Sequence, residues 1–131
     1  MIRCRSRRRS SADRGSTTVE AAGYTVLVLL TLTLLVQAAV WGLADLSARQ
    51  AADHGAQTAR VAGGTEQAGH ADAAAMLQAI NRNGITDVDI TVERGSETTT
   101  VTITGTVIQV VPWVDIPVHV QARAPTEPED G

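Results

Sequence analysis

The residues best suited to chemistry lie in one short run, Arg14-Gly15-Ser16-Thr17-Thr18-Val19-Glu20, directly before an apolar stretch. Gly15 has no side chain, so a protease could draw its backbone close at low steric cost. Glu20 is an acid at the lip of a segment where an unpaired carboxylate is costly. Five more arginines precede the run: Arg3, Arg5, Arg7, Arg8 and Arg9. A basic tail, a small-residue junction and one acid before an apolar segment suggest a processed, membrane-anchored chain rather than a soluble enzyme.

Nothing else in the chain has the spacing of a catalytic or metal site. His54, His70 and His119 are far apart, and none forms a metal-ligand spacing with another His or with Cys4, the only cysteine. Asp87 and Asp89 share a strand face without a partner acid or base. Gly63-Gly64 lacks a phosphate-loop sequence, and Ser16 is not in a nucleophile elbow. No enzymatic activity, metal or cofactor is therefore expected.

The apolar stretch must position the junction. Residues 24–44 carry no formal charge over 21 positions, and about 20 helical residues cross a hydrocarbon layer of ~30 Å. Thr25, Thr31 and Thr33 can return their hydroxyls to the helix backbone, whereas Gln37 calls for a protein neighbour. Tyr24 and Trp41 sit near opposite ends, where amphipathic rings favour the interface. Residues 1–20 carry six Arg against Asp13 and Glu20, a net of +4. Residues 45–131 carry five Arg against twelve acids, a net of −7. This asymmetry places the N-terminus in the cytoplasm and the acidic part outside. The basic cluster is better explained by topology and anionic lipid than by nucleic acid, which is not expected as a partner. A cleaved secretory signal is the competing reading. Val36-Gln37-Ala38 fits a small-residue peptidase site, and cleavage there would leave a soluble domain starting at Ala39.

Residues 45–62 contain no Pro and are rich in good helix formers, so the helix is expected to continue to a break at Gly63-Gly64. Ala48, Ala52, Ala56 and Ala59 make a narrow small-residue stripe. It reads either as plain helical propensity or as a packing seat in a subunit array. A second helix is expected over 72–81, with Ala73, Met76, Leu77 and Ile80 on one face and Asn83-Gly84 as its stop.

The pattern then changes to period two. Val88, Ile90 and Val92 face one side of a first strand, with Asp87, Asp89, Thr91 and Glu93 opposite. A second strand is expected over 98–110. Val101, Ile103 and Val107 face one side and Thr100, Thr102, Thr104 and Thr106 the other. A phase shift at Ile108 and Val110 marks a bulge or an early turn. In the third strand Val114, Ile116, Val118, Val120 and Ala122 alternate, and Pro117 puts it at an edge. The expected fold is α+β: a long N-terminal transmembrane helix, a short helix and a small antiparallel three-strand sheet. The expected divisions are a basic cytoplasmic leader (1–15), a membrane and extended assembly helix (16–62), a small outer domain (63–124) and a loose acidic tail (125–131) with Glu127, Glu129 and Asp130 as solvated charge.

The junction resembles the class III signal peptide of type IV pilin-like proteins, and the longer layout looks like the TadE-like minor pilin or pseudopilin family of tight-adherence (Flp) pilus systems. The resemblance is best over residues 14–62. It implies cleavage between Gly15 and Ser16 by a membrane aspartyl prepilin peptidase, with Glu20 as the fifth mature residue. It further implies that the Glu20 carboxylate meets the Ser16 amine of a neighbouring subunit and sets the assembly register. The implied partners are the peptidase, other pilin-like subunits, a membrane assembly platform and the lipid bilayer. The sequence departs from the family in following Glu20 with Ala21-Ala22-Gly23 instead of a more aromatic start. It also lacks the glutamate–tyrosine pairing of a major Flp pilin and is longer than one, so a minor subunit fits better. The reading from another class is a membrane-anchored or secreted binding protein of the envelope, with its contact on the threonine-rich sheet face.

Overall fold

The structure, a computed structural model, describes residues 12–82 and 84–129. The basic leader up to residue 11, Cys4, Asn83, Asp130 and Gly131 lie outside the described residues. The element order is α1 (Ala12–Arg60), α2 (Glu66–Asn81), β1 (Ile85–Arg94), β2 (Thr98–Val107) and β3 (Ile116–Pro125). The α+β architecture expected from the sequence is the one observed.

Helix α1 has 49 residues, a length of about 70 Å at 1.5 Å per residue. It runs unbroken through Gly15 and Ser16. From Gly15 to Val36 it is exposed on nearly all sides, and a stretch within it is long and apolar enough to cross a membrane. As expected, Thr25, Thr31 and Thr33 donate to the carbonyls of Ala21, Leu27 and Leu29 at 2.9, 2.8 and 2.8 Å. These bonds remove three hydroxyls from the lipid-compatible surface.

The second half of α1 is the spine of a small domain. Buried positions begin at Gln37 and recur at Ala44, Ser47, Ala48, Ala51, Ala52, Gly55, Ala56 and Ala59, the spacing of one helical face. This face packs on α2 and on all three strands. The α1 helix ends at Arg60, and Gly63 just beyond it has φ +77, a left-handed turn that glycine takes without Cβ strain. Arg94 reinforces the end. Its Nε donates to the Ala59 carbonyl at 2.9 Å and its Nη2 to the Val61 carbonyl at 3.3 Å, so a cation meets the negative end of the helix dipole.

Helix α2 begins earlier than the sequence suggested. Thr65 has extended backbone angles and its Oγ1 accepts from the Ala68 amide at 3.1 Å, capping a helix that starts at Glu66 instead of residue 72. Its buried face is Gly69, Ala73 and Leu77. Met76 is partly buried against the core and Ile80 is exposed.

The sheet is antiparallel in the order β1-β2-β3, so β3 with Pro117 is an edge strand as expected. Val101, Ile103, Val107, Val118, Val120, Ala122 and Ala124 turn inward. Thr100, Thr102, Thr104 and Thr106 occupy the outer face, partly exposed. β1 departs from the expected alternation. The register shifts between Thr86 and Asp89, so Asp87 and Val88 lie opposite Gly105 alone, and Asp87 has φ +53. This bulge reverses the phase. Ile85 takes the inward position and Val88 is left exposed. β2 ends at Val107 and β3 starts at Ile116, so Ile108, Val110 and Val114 belong to the connecting loop.

The expected loose tail is also corrected over its described part. β3 continues to Pro125, and the chain beyond it is tied down. The Thr126 amide donates to the Glu97 carbonyl at 2.9 Å, the Glu127 amide to the Arg60 carbonyl at 2.8 Å, and the Thr126 and Thr99 hydroxyls bond at 2.8 Å. Glu127 and Glu129 stand 3.4 and 3.5 Å from Arg60 and Arg94.

Candidate functional site

The residues implicated by the sequence fall into two places on α1. Gly15, Ser16 and Glu20 lie on its exposed N-terminal part. Among the described residues, a Cβ built on Gly15 would meet nothing within 4 Å. The helix geometry puts Ser16 and Glu20 one turn apart on one face. Glu20 has a partner that the sequence reading did not identify: the Tyr24 hydroxyl donates to Glu20 Oε1 at 3.4 Å, one further turn along. An i, i+4 acid–phenol spacing was the available signal.

The alanines lie elsewhere. Ala48, Ala52 and Ala59 are 0% exposed and Ala56 is 2% exposed. They are part of the intrachain core, so this stripe is occupied by the chain's own α2 and sheet and is not open to a neighbouring helix. The physical reason is the close approach of α2, which only small side chains on α1 permit.

A third feature joins the two halves of the molecule. Gln37, only 6% exposed, is the neighbour-seeking side chain of the apolar stretch. Its Oε1 accepts from the Val110 amide at 2.8 Å and the Val111 amide at 3.1 Å, while its Nε2 is buried without a partner among the described residues. The β2–β3 loop is thereby held against α1 inside the expected span. At the loop tip Trp113 is 89% exposed with φ +58. A bulky residue in the left-handed region is unusual, costs about 1–3 kcal/mol and persists only where its surroundings impose it. At the neck of the loop Gln109 Nε2 donates to Asp115 Oδ1. The run of uncharged residues at 110–114 in an otherwise threonine- and acid-rich domain was the sequence signal for this loop.

Several charged groups outside the span have structural partners. His54 Nε2 is 3.3 Å from Asp72 Oδ2, which also accepts from the Thr58 hydroxyl, so this cluster ties α1 to α2. Asp45 lies 2.8 Å from Arg49, and its hydrogen bond and charge hold the Arg49 guanidinium above its ordinary value. His70 and His119 are exposed on α2 and on the outer face of β3. Among the described residues no three His, Cys, Asp or Glu side chains are grouped to hold a metal ion. Compared with protein-family models, with curated proteins and with solved structures, the chain matches none.

Proposed function

We propose that this chain is a minor pilin-like structural subunit of a tight-adherence pilus or a related envelope assembly, processed between Gly15 and Ser16. The observation that carries the reading is the division of α1. One half, from Gly15 on, is an exposed apolar helix whose single carboxylate, Glu20, lies one turn beyond Ser16. The other half is the rigid spine of a small domain. An exposed apolar half suits a bilayer and then a bundle of like helices. The continuous helix carries the domain out of it at a fixed distance.

In this account a prepilin peptidase removes the basic leader. The Ser16 amine so exposed titrates near neutral pH. It meets the Glu20 carboxylate of a neighbour as subunits leave the bilayer through an assembly platform. A misregistered neighbour would leave both charges unpaired in an apolar bundle, which penalises wrong packing. Secretory cleavage after Ala38 fits the structure poorly, because it would remove Gln37 and strip two loop amides of their acceptor.

The second reading, an envelope binding protein, is favoured by one observation. The outer sheet face is largely polar around its threonines, with Gln121 Nε2 donating to Thr102 Oγ1 at 3.4 Å and Arg123 to Gln121 Oε1 at 2.9 Å. The two readings separate on Glu20→Ala. Under the first, the variant inserts and folds but fails to enter assemblies. Under the second, it behaves as the parent chain does.

A further inference from the structure

The exposed large apolar residues outside α1 are unevenly placed. Val61, Ile80 and Val88 are scattered singly, whereas Ile108, Val110, Trp113 and Val114 share the β2–β3 loop. Scattered apolar residues are ordinary on a protein surface, and a cluster marks a contact. The position of this cluster says what the contact is. Gln37, which holds the loop, lies seven residues before Ala44, the outer end of the apolar stretch. At 1.5 Å per residue that is about 10 Å inward along the helix. The loop is therefore fixed to α1 at a level where the same helix faces lipid.

The loop is also built to leave water. Hydrocarbon offers no partner to a bare amide, and the amides of Val110 and Val111 both donate to Gln37 Oε1. Residues 110–114 carry no charge. The polar pair Gln109 and Asp115 closes the neck on the side of the domain. Trp113 projects from the tip in a left-handed conformation, with its ring almost fully exposed. An indole with an apolar body and one N–H donor suits the boundary between headgroups and acyl chains.

We propose that the β2–β3 loop is a second membrane contact, a wedge whose Trp113 enters the headgroup–acyl boundary of the outer leaflet beside α1. The wedge adds a second contact to the helix, and that contact sets the rotation of the domain about the α1 axis, which one helix alone leaves undetermined. The proposal rests on α1 spanning the bilayer and not on the pilus assignment.

The test uses the full chain carrying Trp41→Phe, which leaves Trp113 as its only tryptophan. The protein is reconstituted into phosphatidylcholine–phosphatidylglycerol vesicles and recovered by flotation. The expected result is that bromine placed near the headgroup end of the acyl chains cuts Trp113 emission about two-fold, as for an interfacial indole. Bromine at mid-chain quenches less, and aqueous iodide quenches weakly. Emission that iodide quenches like a free indole and bromine leaves unchanged overturns the wedge while α1 still holds the protein on the vesicles. Emission insensitive to both quenchers also overturns it, since the ring is then covered by protein, a second copy included. Failure to float overturns the spanning helix and the wedge together.

Discussion

Gly55 and Gly69 cross so closely that a Cβ built on either would stand 2.8 Å from the other's carbonyl oxygen. The same added carbon would meet Ala73 Cβ at 2.8 Å from Gly55 and Ala59 Cβ at 2.7 Å from Gly69. This contact sets how α2 lies on α1, and it explains why the small-residue stripe of α1 is filled from within the chain. Replacing Gly69 with Val should therefore destabilise the domain by about 1–3 kcal/mol, the usual range for overpacking at a closed contact. Denaturant unfolding of the detergent-solubilised protein measures this. An unchanged midpoint would mean that the helices do not cross at these glycines.

Gln37 is the link between the apolar stretch and the sheet. Gln37→Leu keeps the bulk but leaves the part-buried Val110 and Val111 amides without their acceptor, at a cost toward the low end of the roughly 1–3 kcal/mol of a buried donor. Loss of the unpartnered Nε2 offsets part of this. Protection of these two amides from hydrogen exchange should fall more than that of the β2 amides. Equal protection in variant and parent would remove the loop from α1.

The C-terminal end of α1 depends on a residue far along the chain. Arg94→Met keeps most of the aliphatic stem but loses the bonds to the Ala59 and Val61 carbonyls. A loss of about 1–2 kcal/mol is expected for charge-assisted bonds at a partly exposed site. Proteolytic nicking between Arg60 and Thr65 should rise in step. A variant as resistant as the parent would show that Gly63 and the backbone bonds end the helix unaided.

Most of the architecture was legible in the sequence because its signals are local. The uncharged stretch, the helix formers after it, the glycine break and the alternation of β2 and β3 each follow from spacing alone. The residues read differently are those set by long-range pairing. Val88 looked like core until the bulge opposite Gly105 passed that role to Ile85, and a bulge belongs to two strands at once. Residues 126–129 looked loose because their acidity was visible while their partners, Glu97, Thr99, Arg60 and Arg94, are distant in sequence. Thr65 caps α2 well before its apolar periodicity begins at Ala73, so spacing alone places the helix start too late. The alanine stripe announced close packing, but spacing on one helix cannot name the partner. The junction at Gly15, Ser16 and Glu20 was read from residue types, and the helix that carries it adds exposure and the Tyr24 contact.

Glu20 lies on the exposed half of α1, outside the core of the domain. Glu20→Gln and Glu20→Ala should leave unfolding of the domain within about 0.5 kcal/mol of the parent, as for exposed positions away from the core. Both should lower incorporation into assemblies by about ten-fold or more if an unpaired Ser16 amine is left in an apolar bundle. The amount of chain in sheared surface fractions against that in membranes measures it. Normal incorporation of both variants would end the register role.

The most direct measurement is the mature N-terminus by mass spectrometry, taken on the membrane and soluble fractions side by side. The account predicts a membrane-associated chain that starts at Ser16. A chain that starts at Ala39 in the soluble fraction, or one that keeps Met1 in the membrane where a prepilin peptidase is active, would contradict it.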